Sequence, residues 1–597
     1  MIQSPEQPSS IAPPIDRNAS DTDRQHLLTV NVEDYFQVGA FRRYIRSEHW
    51  YRFETRLQQN VEQILELLDQ HQTKATFFVL GWTAEHDPVL VRQIAEAGHE
   101  VASRGFLHQP LLNCSREQIR DDLLKSRSVL QDVTGQPIYG FRLSDGWLSR
   151  DSLWLLDELA AAGYRYDSSL LPRQRDFADD ANWRRIRTIE TNHGPVVEIP
   201  LSTMETPGGW IPIAGGNYQR QVPDFLMKRM VDKAITGGTD PFVMYFQAWE
   251  LDDKQPELSV ADRLTRIRHY RKLGKYRRIL PQYLQRYRFT SVENHATKSS
   301  SPLAALLTSV GPNRERGIQP SSTTIESNAP ALAIQADDVD LSAADQPATD
   351  RQAVTLVIPC FNEEKSITYL ANTLASVTDR LSDRWMPQIV FVDDCSTDNT
   401  FDVLQRQFGE LDHVRVVRHE NNRGVSAAIL TGIAAAETEI VASMDCDCSY
   451  DPHELAAMLP LLTDDVSMVT ASPYHKAGQV RNVPGWRLFL SRGLSAIYQR
   501  LLKQPLATWT SCFRIYRRSD VLDLNLQEDG FLGTAELAAE LILRNRSIVE
   551  HPATLEVRLF GLSKMKTVKA ILSHLRLLLS ITLRRGQYQP HNHPENP

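Results

Sequence analysis

Residues from about 294 to 350 carry SSSPLAALLTSV, GIQPSSTTIESNAP and ADDVDLSAADQPATD, a stretch rich in Ser, Ala, Pro and Asp without hydrophobic periodicity. Such a composition cannot bury enough apolar surface to offset the entropy lost on ordering, so it reads as a disordered linker between two separately packed blocks. Length agrees, because 597 residues exceed what one hydrophobic core serves. The first 24 residues have the same character. The expected organisation is a disordered lead at 1–24, a first domain at 25–293, a linker at 294–352 and a second domain at 353–590.

Both blocks alternate short β-branched runs with longer amphipathic patterns. In the first, LLTVNV, ATFFVL, HEVAS, VVEIP and FVMYF read as buried strands, and RLQQNVEQILELLDQH and REQIRDDLLKSRSVLQDVTG as helices. In the second, VTLVIP, QIVFVDD, VRVVRH and EIVASMD are strands that end in polar residues. Both are therefore α/β folds, in which chemistry collects at the carboxyl ends of strands.

Composition narrows the partners. A formal charge of -8 without a long basic block gives no support to nucleic acid. Six scattered cysteines do not make a disulfide framework. There is no apolar run of signal-peptide or membrane-spanning length, so the expectation is a cytoplasmic protein, with peripheral contact at the inner membrane face left open. The segment KAILSHLRLLLSITLRR, apolar on a broad face with basic flanks, suits either an interface helix or a terminal helix packed on the core.

In the second block the polar clusters follow one another as VTLVIPCFNEEKSI, QIVFVDDCSTDNT, ENNRGVSAAILTG and VASMDCDCSYDP. Taken singly each is weak; their succession in one βαβ series would ring a single crevice with carboxylates and backbone donors. With WRLFLSRGLS, TSCFRIYRR, FLGTAELAAELILR and VEHPATLEVRLFGLSKMK, the series resembles the family 2 glycosyltransferases of GT-A fold. Within that family it is most similar to the dolichol-phosphate mannosyltransferase and polyprenyl-phosphate sugar transferase branch. The resemblance implies a Rossmann-like nucleotide-sugar domain. Pro359, Glu363, Asp393, Asp394 and Arg423 would meet the nucleotide sugar, and Asp445 and Asp447 would hold Mg2+ or Mn2+ against the diphosphate. Arg514, with Arg492, Arg558 and Lys564, would meet phosphates, since a guanidinium matches a phosphate bidentately. Glu536 is either an acceptor-side carboxylate or a helix-surface residue. One departure is Pro473, where the branch usually carries an arginine; this puts acceptor contacts from that strand in doubt.

In the first block, TVNVEDYFQVGAF, TFFVLGW, HEVASRGFLH, GFRLSDGWLS, YRYDSSLLP, AGGNYQR and YFQAWELDDKQP resemble, in that order, the polysaccharide deacetylases. The nearest subgroup is the one linked to exopolysaccharide and exosortase systems. Such proteins are distorted β/α barrels, in which one carboxylate and two histidines hold zinc while a second carboxylate is the base and a further histidine the acid. Three of those positions are changed here. Asn31 stands where the base is expected, Arg104 where the first histidine ligand is expected, and Gln247 with Ala248 where His-Pro is expected. An always-protonated guanidinium cannot ligate a cation. Glu33, Asp34, His108, Arg142 and Asp167 remain, so the site reads as dismantled, with zinc absent. His108 is expected to be an interior residue, and His99 has no metal role.

The reading is a glycosyltransferase that moves a sugar from a nucleotide donor to a polyprenyl phosphate or an envelope glycan, fused to a degenerate deacetylase domain. A bifunctional deacetylase–transferase and a non-catalytic glycan-binding scaffold are the alternatives. Proteolysis between 294 and 352 should release two soluble pieces, with transfer activity on the C-terminal one. Expression of residues 353–597 that yields only aggregate in a solubility assay would refute the division.

Overall fold

The computed structural model describes residues 24–172, 177, 180–207, 209–237, 240–298, 304, 351–482, 485–561 and 567–585. Most of the expected lead, most of the linker and Lys564 lie outside the described residues. The chain divides into two compact units: Met1–Ser47, Thr55–Gln255 and Asp262–Arg316 in one, Glu48–Glu54, Pro256–Ala261 and Gly317–Pro597 in the other.

The first unit is built on nine strands: β1 (Gln25–Val32), β2 (Thr76–Val79), β3 (Glu100–Ser103), β4 (Gly140–Phe141), β5 (Tyr166–Asp167), β6 (Arg187–Ile189), β7 (Val196–Glu198), β10 (Val243–Gln247) and β11 (Arg288–Thr290). Their order is β10-β1-β2-β3-β4-β5-β7-β6, with β11 also paired to β1 and a separate hairpin, β8 (Thr203–Thr206) and β9 (Gly209–Pro212). All pairings in the large sheet are parallel except β6 with β7, and the sheet curls into an open β/α barrel.

The two-residue period of a strand sorts its side chains. Leu28, Val30, Val32, Phe77 and Val79 join one core cluster, while Leu27, Phe78, Ala102 and Tyr245 join a second on the other face. Thr29 and Asn31 share the face of Leu27, which aims polar groups into the second cluster. Helix Arg116–Thr134 starts on a capping box, Ser115 with Gln118, and stops at Gly135 in the left-handed region; such a cap is worth about 1 kcal/mol. The unit continues past the expected boundary, because helix Val292–Lys298 buries Val292 and Ala296 in the second cluster.

The second unit carries a seven-stranded sheet of order β14-β13-β12-β15-β18-β16-β19. Its strands are β12 (Gln352–Cys360), β13 (Trp385–Asp393), β14 (Val414–Arg418), β15 (Ile440–Ser443), β16 (Val466–Ser472), β18 (Arg514–Arg517) and β19 (Ser547–Pro552); β17 (Gln479–Val480) pairs with β20 (Thr554–Leu555). β12 lies between β13 and β15, so strand order reverses beside it and a crevice opens at their carboxyl ends. Helix Val425–Ala435 covers β12 closely. A Cβ built on Gly432 would stand 2.2 Å from Val357 Cγ1, so only glycine permits that approach. Among the described residues no helix is long and apolar enough to cross a membrane.

Candidate active site

The four polar clusters of the second unit meet at this strand-order reversal. β12 delivers half-buried Pro359 and, just beyond it, Glu363; β13 delivers Asp393 and Asp394; β15 leads into Asp445 and Asp447. Asp447 Oδ1 accepts from Ser449 N at 2.9 Å and Ser449 Oγ at 2.6 Å, which fixes one carboxylate oxygen. The other accepts from Arg558 Nε at 2.5 Å, and Arg558 Nη1 donates to Glu363 Oε1 at 2.8 Å. Burial and the neighbouring Asp447 charge push the Asp445 carboxyl up to about 7, against the pull of Arg558. Arg558 thus neutralises a carboxylate cluster that is costly to bring together.

The adjacent aspartates divide their work. Asp394 Oδ1 accepts from His419 Nδ1 at 2.7 Å and from Arg423 N at 2.8 Å, and Oδ2 from Gly424 N at 2.7 Å. It therefore shapes the 422–424 turn. Gly424 is required there twice over: its φ is +97°, and a Cβ would stand 2.6 Å from Asp529 O. Asp393 pairs with Arg418 at 3.1 Å. Arg423 itself is exposed. The His419 and Arg418 partners carry no motif of their own in the sequence, although VRVVRH ends in both.

Two expected phosphate or acceptor residues are placed differently. Arg514 is fully buried, with Nη1 donating to Thr534 O at 2.6 Å, Nη2 to Trp509 O at 2.8 Å and Nε to Thr470 Oγ1 at 3.4 Å. Its guanidinium ties β18 to β16, to the Trp509 carbonyl and to the first turn of helix Gly533–Leu543. Glu536 is also fully buried, and its Oε2 accepts from Gln527 N and Glu528 N, both at 2.9 Å. It is therefore not a helix-surface residue, and its carboxylate clamps the backbone at 527 and 528. Arg492 is exposed and lies over Tyr474.

In the first unit the changed positions come together at the carboxyl end of the barrel. Asn31 and Gln247 are register partners across β1 and β10. Arg104, next after β3, turns inward: Nε donates to Glu33 Oε2 at 3.1 Å and Nη2 to Ser144 O at 3.0 Å. His108 Nε2 lies 3.4 Å from the same Glu33 oxygen. Burial and the Arg104 charge depress His108 to about 3, so the ring is neutral, and its buried Nδ1 has no hydrogen-bond partner among the described residues. Burial raises Glu33 and Arg104 draws it back. Asp34 points elsewhere, accepting from Tyr35 N, Thr55 Oγ1 and Arg56 N.

Arg142 is buried over the Phe78 ring at 4.1 Å and donates to Thr29 Oγ1, Asn31 Oδ1, Ser168 O and Ser168 Oγ. The Asn31 amide oxygen thus serves as an acceptor for it. Burial, reinforced by Arg104, lowers Arg142 to about 9. Asp167 lies across from Glu198 in the β5–β7 register, and burial raises both carboxyls. His99, outside this pocket, accepts from Ala75 N and packs on Phe77.

Comparison with known proteins follows the same division. Residues 355–524 match the model of glycosyl transferase family 2, residues 47–166 that of polysaccharide deacetylase, and residues 168–297 a domain of unknown function, DUF3473. A dolichol-phosphate mannosyltransferase of Pyrococcus furiosus is 26% identical over 242 residues, 39% of this chain and 65% of that protein. A polyprenol monophosphomannose synthase of Mycolicibacterium smegmatis is 28% identical over 232 residues, 37% of this chain and 85% of its own length. The chain thus spans just under two-thirds of the archaeal relative. Among solved structures, a polysaccharide deacetylase described as from Mycobacterium smegmatis is similar at 18% identity and TM-score 0.33, over 52% of this chain and 99% of that one. The N-terminal half resembles the polysaccharide deacetylases and the C-terminal half the family 2 glycosyltransferases.

The Arg104–Glu33 pair is buried on both sides, with side-chain exposures of 5% and 2%. Arg104→Ala leaves Glu33 without its cation, an expected loss of about 3 to 5 kcal/mol from the first unit at neutral pH. The loss should shrink on acidification. Without Arg104 the folded-state Glu33 is raised further above its unfolded value, so stability is fullest below the unfolded pKa and falls as pH rises through the folded one. Denaturant melts of wild type and variant across pH test this; a pH-independent difference would contradict it.

Proposed function

We propose that the chain transfers a sugar from a nucleotide-sugar donor to a polyprenyl phosphate or an envelope glycan. The observation that carries this reading is the convergence of Glu363, Asp445, Asp447 and Arg558 at the β12–β15 crevice. The family 2 match and relatives named for dolichol-phosphate and polyprenol transfer support it.

The donor set suits a hard divalent cation of the Mg2+ or Mn2+ kind. Asp445 and Asp447 supply carboxylate oxygens only, and two carboxylates are what Mg2+ keeps when nucleotide phosphates and water complete its shell. When bound, the cation would offset charge developing on the departing nucleotide. Asp393, the Asp394-shaped turn and half-buried Pro359 are positioned for the nucleoside, with Arg423 exposed beside them. Arg558 lies between the Glu363 and Asp447 carboxylates, and its part-exposed guanidinium would meet a diphosphate bound there.

Membrane contact would bring a lipid acceptor to this unit. Helix Thr567–Arg585 packs on the core through Leu577, Leu578 and Ile581, with His574 hydrogen-bonded to Tyr498, yet leaves Leu575 and Leu579 at 50% and 64% exposure. In the first unit the Arg104 guanidinium, which cannot ligate a cation, donates to Glu33, which supports a barrel without deacetylase chemistry.

Nucleotide release from UDP- and GDP-sugars, measured with and without polyprenyl phosphate, tests the reading. Release should depend on acceptor and on Mg2+ or Mn2+. Asp447→Asn should lower turnover about a hundredfold or more, because several kcal/mol of charge stabilisation goes with the carboxylate. Full metal-dependent turnover in that variant would overturn the assignment.

A further inference from the structure

Residues 263–278, RLTRIRHYRKLGKYRR, contain eight Lys and Arg and no Asp or Glu. Averaged over a chain of net charge -8 this run disappears. In the first unit it forms helix Arg263–Tyr270 and the start of helix Lys275–Arg286.

The orientation of helix Arg263–Tyr270 is fixed from within. His269 is buried, stacked on Trp249 at 4.2 Å and against Phe41. Arg220, in a buried ion pair with Glu250 at 2.7 Å, donates to His269 O at 2.7 Å, Arg271 O at 3.1 Å and Arg268 O at 3.3 Å. With that side anchored, positions 263, 264, 267, 268 and 271 fall on the outward face. Leu264 is 66% exposed and Ile267 44%. The same anchor brings in a second apolar pair. Lys275 Nζ donates to Val222 O, Arg278 pairs with Asp224, and the next two residues, Phe225 and Leu226, are 77% and 41% exposed. Asp224 is neutralised by Lys275 and Arg278, and Arg277 faces Asp253. Arg263, Arg268, Arg271 and Lys272 have no carboxylate at ion-pairing distance among the described residues.

We propose that this face, Leu264 and Ile267 with Phe225 and Leu226 among unpaired arginines, docks the first unit on an anionic lipid bilayer. Large apolar side chains pointing to water beside arginines are the pattern of an interfacial helix: the apolar groups enter the acyl boundary and the cations meet lipid phosphates. A polyanionic glycan would use the cations alone, because Leu, Ile and Phe offer sugar hydroxyls no hydrogen-bonding group. Neither donor nor acceptor enters this argument, so it stands or falls apart from the transfer reading.

The test is co-sedimentation of the purified full chain with phosphatidylcholine vesicles, with and without phosphatidylglycerol. Binding should require phosphatidylglycerol and weaken with salt. Arg268→Ala and Arg271→Ala should each cost about fivefold, from the usual contribution of a basic residue at an anionic surface. Leu264→Ser with Phe225→Ser should weaken binding while leaving salt sensitivity in place, and a circular dichroism melt should show these exposed variants still folded. Three outcomes overturn the proposal: no binding to phosphatidylglycerol vesicles, binding unaffected by these variants but abolished by Leu575→Ser with Leu579→Ser, or arginine-dependent binding to soluble polygalacturonate without vesicle binding.

Discussion

A parallel strand buries both faces, because the crossover helices that connect it must cover the sheet. Polar and charged groups are therefore driven to the strand ends, and both units of this protein gather buried carboxylates and arginines there. In the second unit the reversal of strand order beside β12 leaves a gap in the helical cover, and three successive strands release their acidic residues into it. In the first, β1 and β10 pair Asn31 with Gln247 at the same end of the barrel where Arg104 follows β3. The closeness of the three altered positions is thus a product of register.

Gathering carboxylates at strand ends creates a charge problem, and each unit answers it with arginine in a different way. Arg104 is 5% exposed and donates to Glu33 and to a backbone carbonyl, so it is held from two sides. Arg220 with Glu250 follows the same plan, adding three carbonyls. Arg558, by contrast, is 29% exposed and among the described residues bridges two carboxylates, Glu363 and Asp447. A buried guanidinium with carbonyl partners is a fixed counter-charge, whereas a part-exposed one between acids is held by side chains alone.

Arg514 and Glu536 also meet backbone groups: both are fully buried, Arg514 donating to the carbonyls of 509 and 534 and Glu536 accepting from the amides of 527 and 528. They support the loops around the crevice, since an unpaired backbone group there would cost free energy that a charged partner recovers.

The sequence alone determined the two α/β blocks, the main strands and the positions where acids cluster, because hydrophobic period and strand-end polarity are local properties that survive without a structure. Residue type also shows that Asn31 and Arg104 cannot serve as a base or a cation ligand, because an amide and a guanidinium lack those functions in any fold. The short strands β4 and β5, two residues each, were invisible, as no periodicity exists over such a length. Which aspartate shapes a turn and which faces the crevice, which arginine is locked and which is half-exposed, and which side of helix Arg263–Tyr270 looks outward were decided by tertiary structure. Each depends on partners distant along the chain: Asp447 is 111 residues from Arg558, and Glu33 is 71 from Arg104. Burial and pairing are properties of those meetings, and a linear pattern of residue types does not contain them.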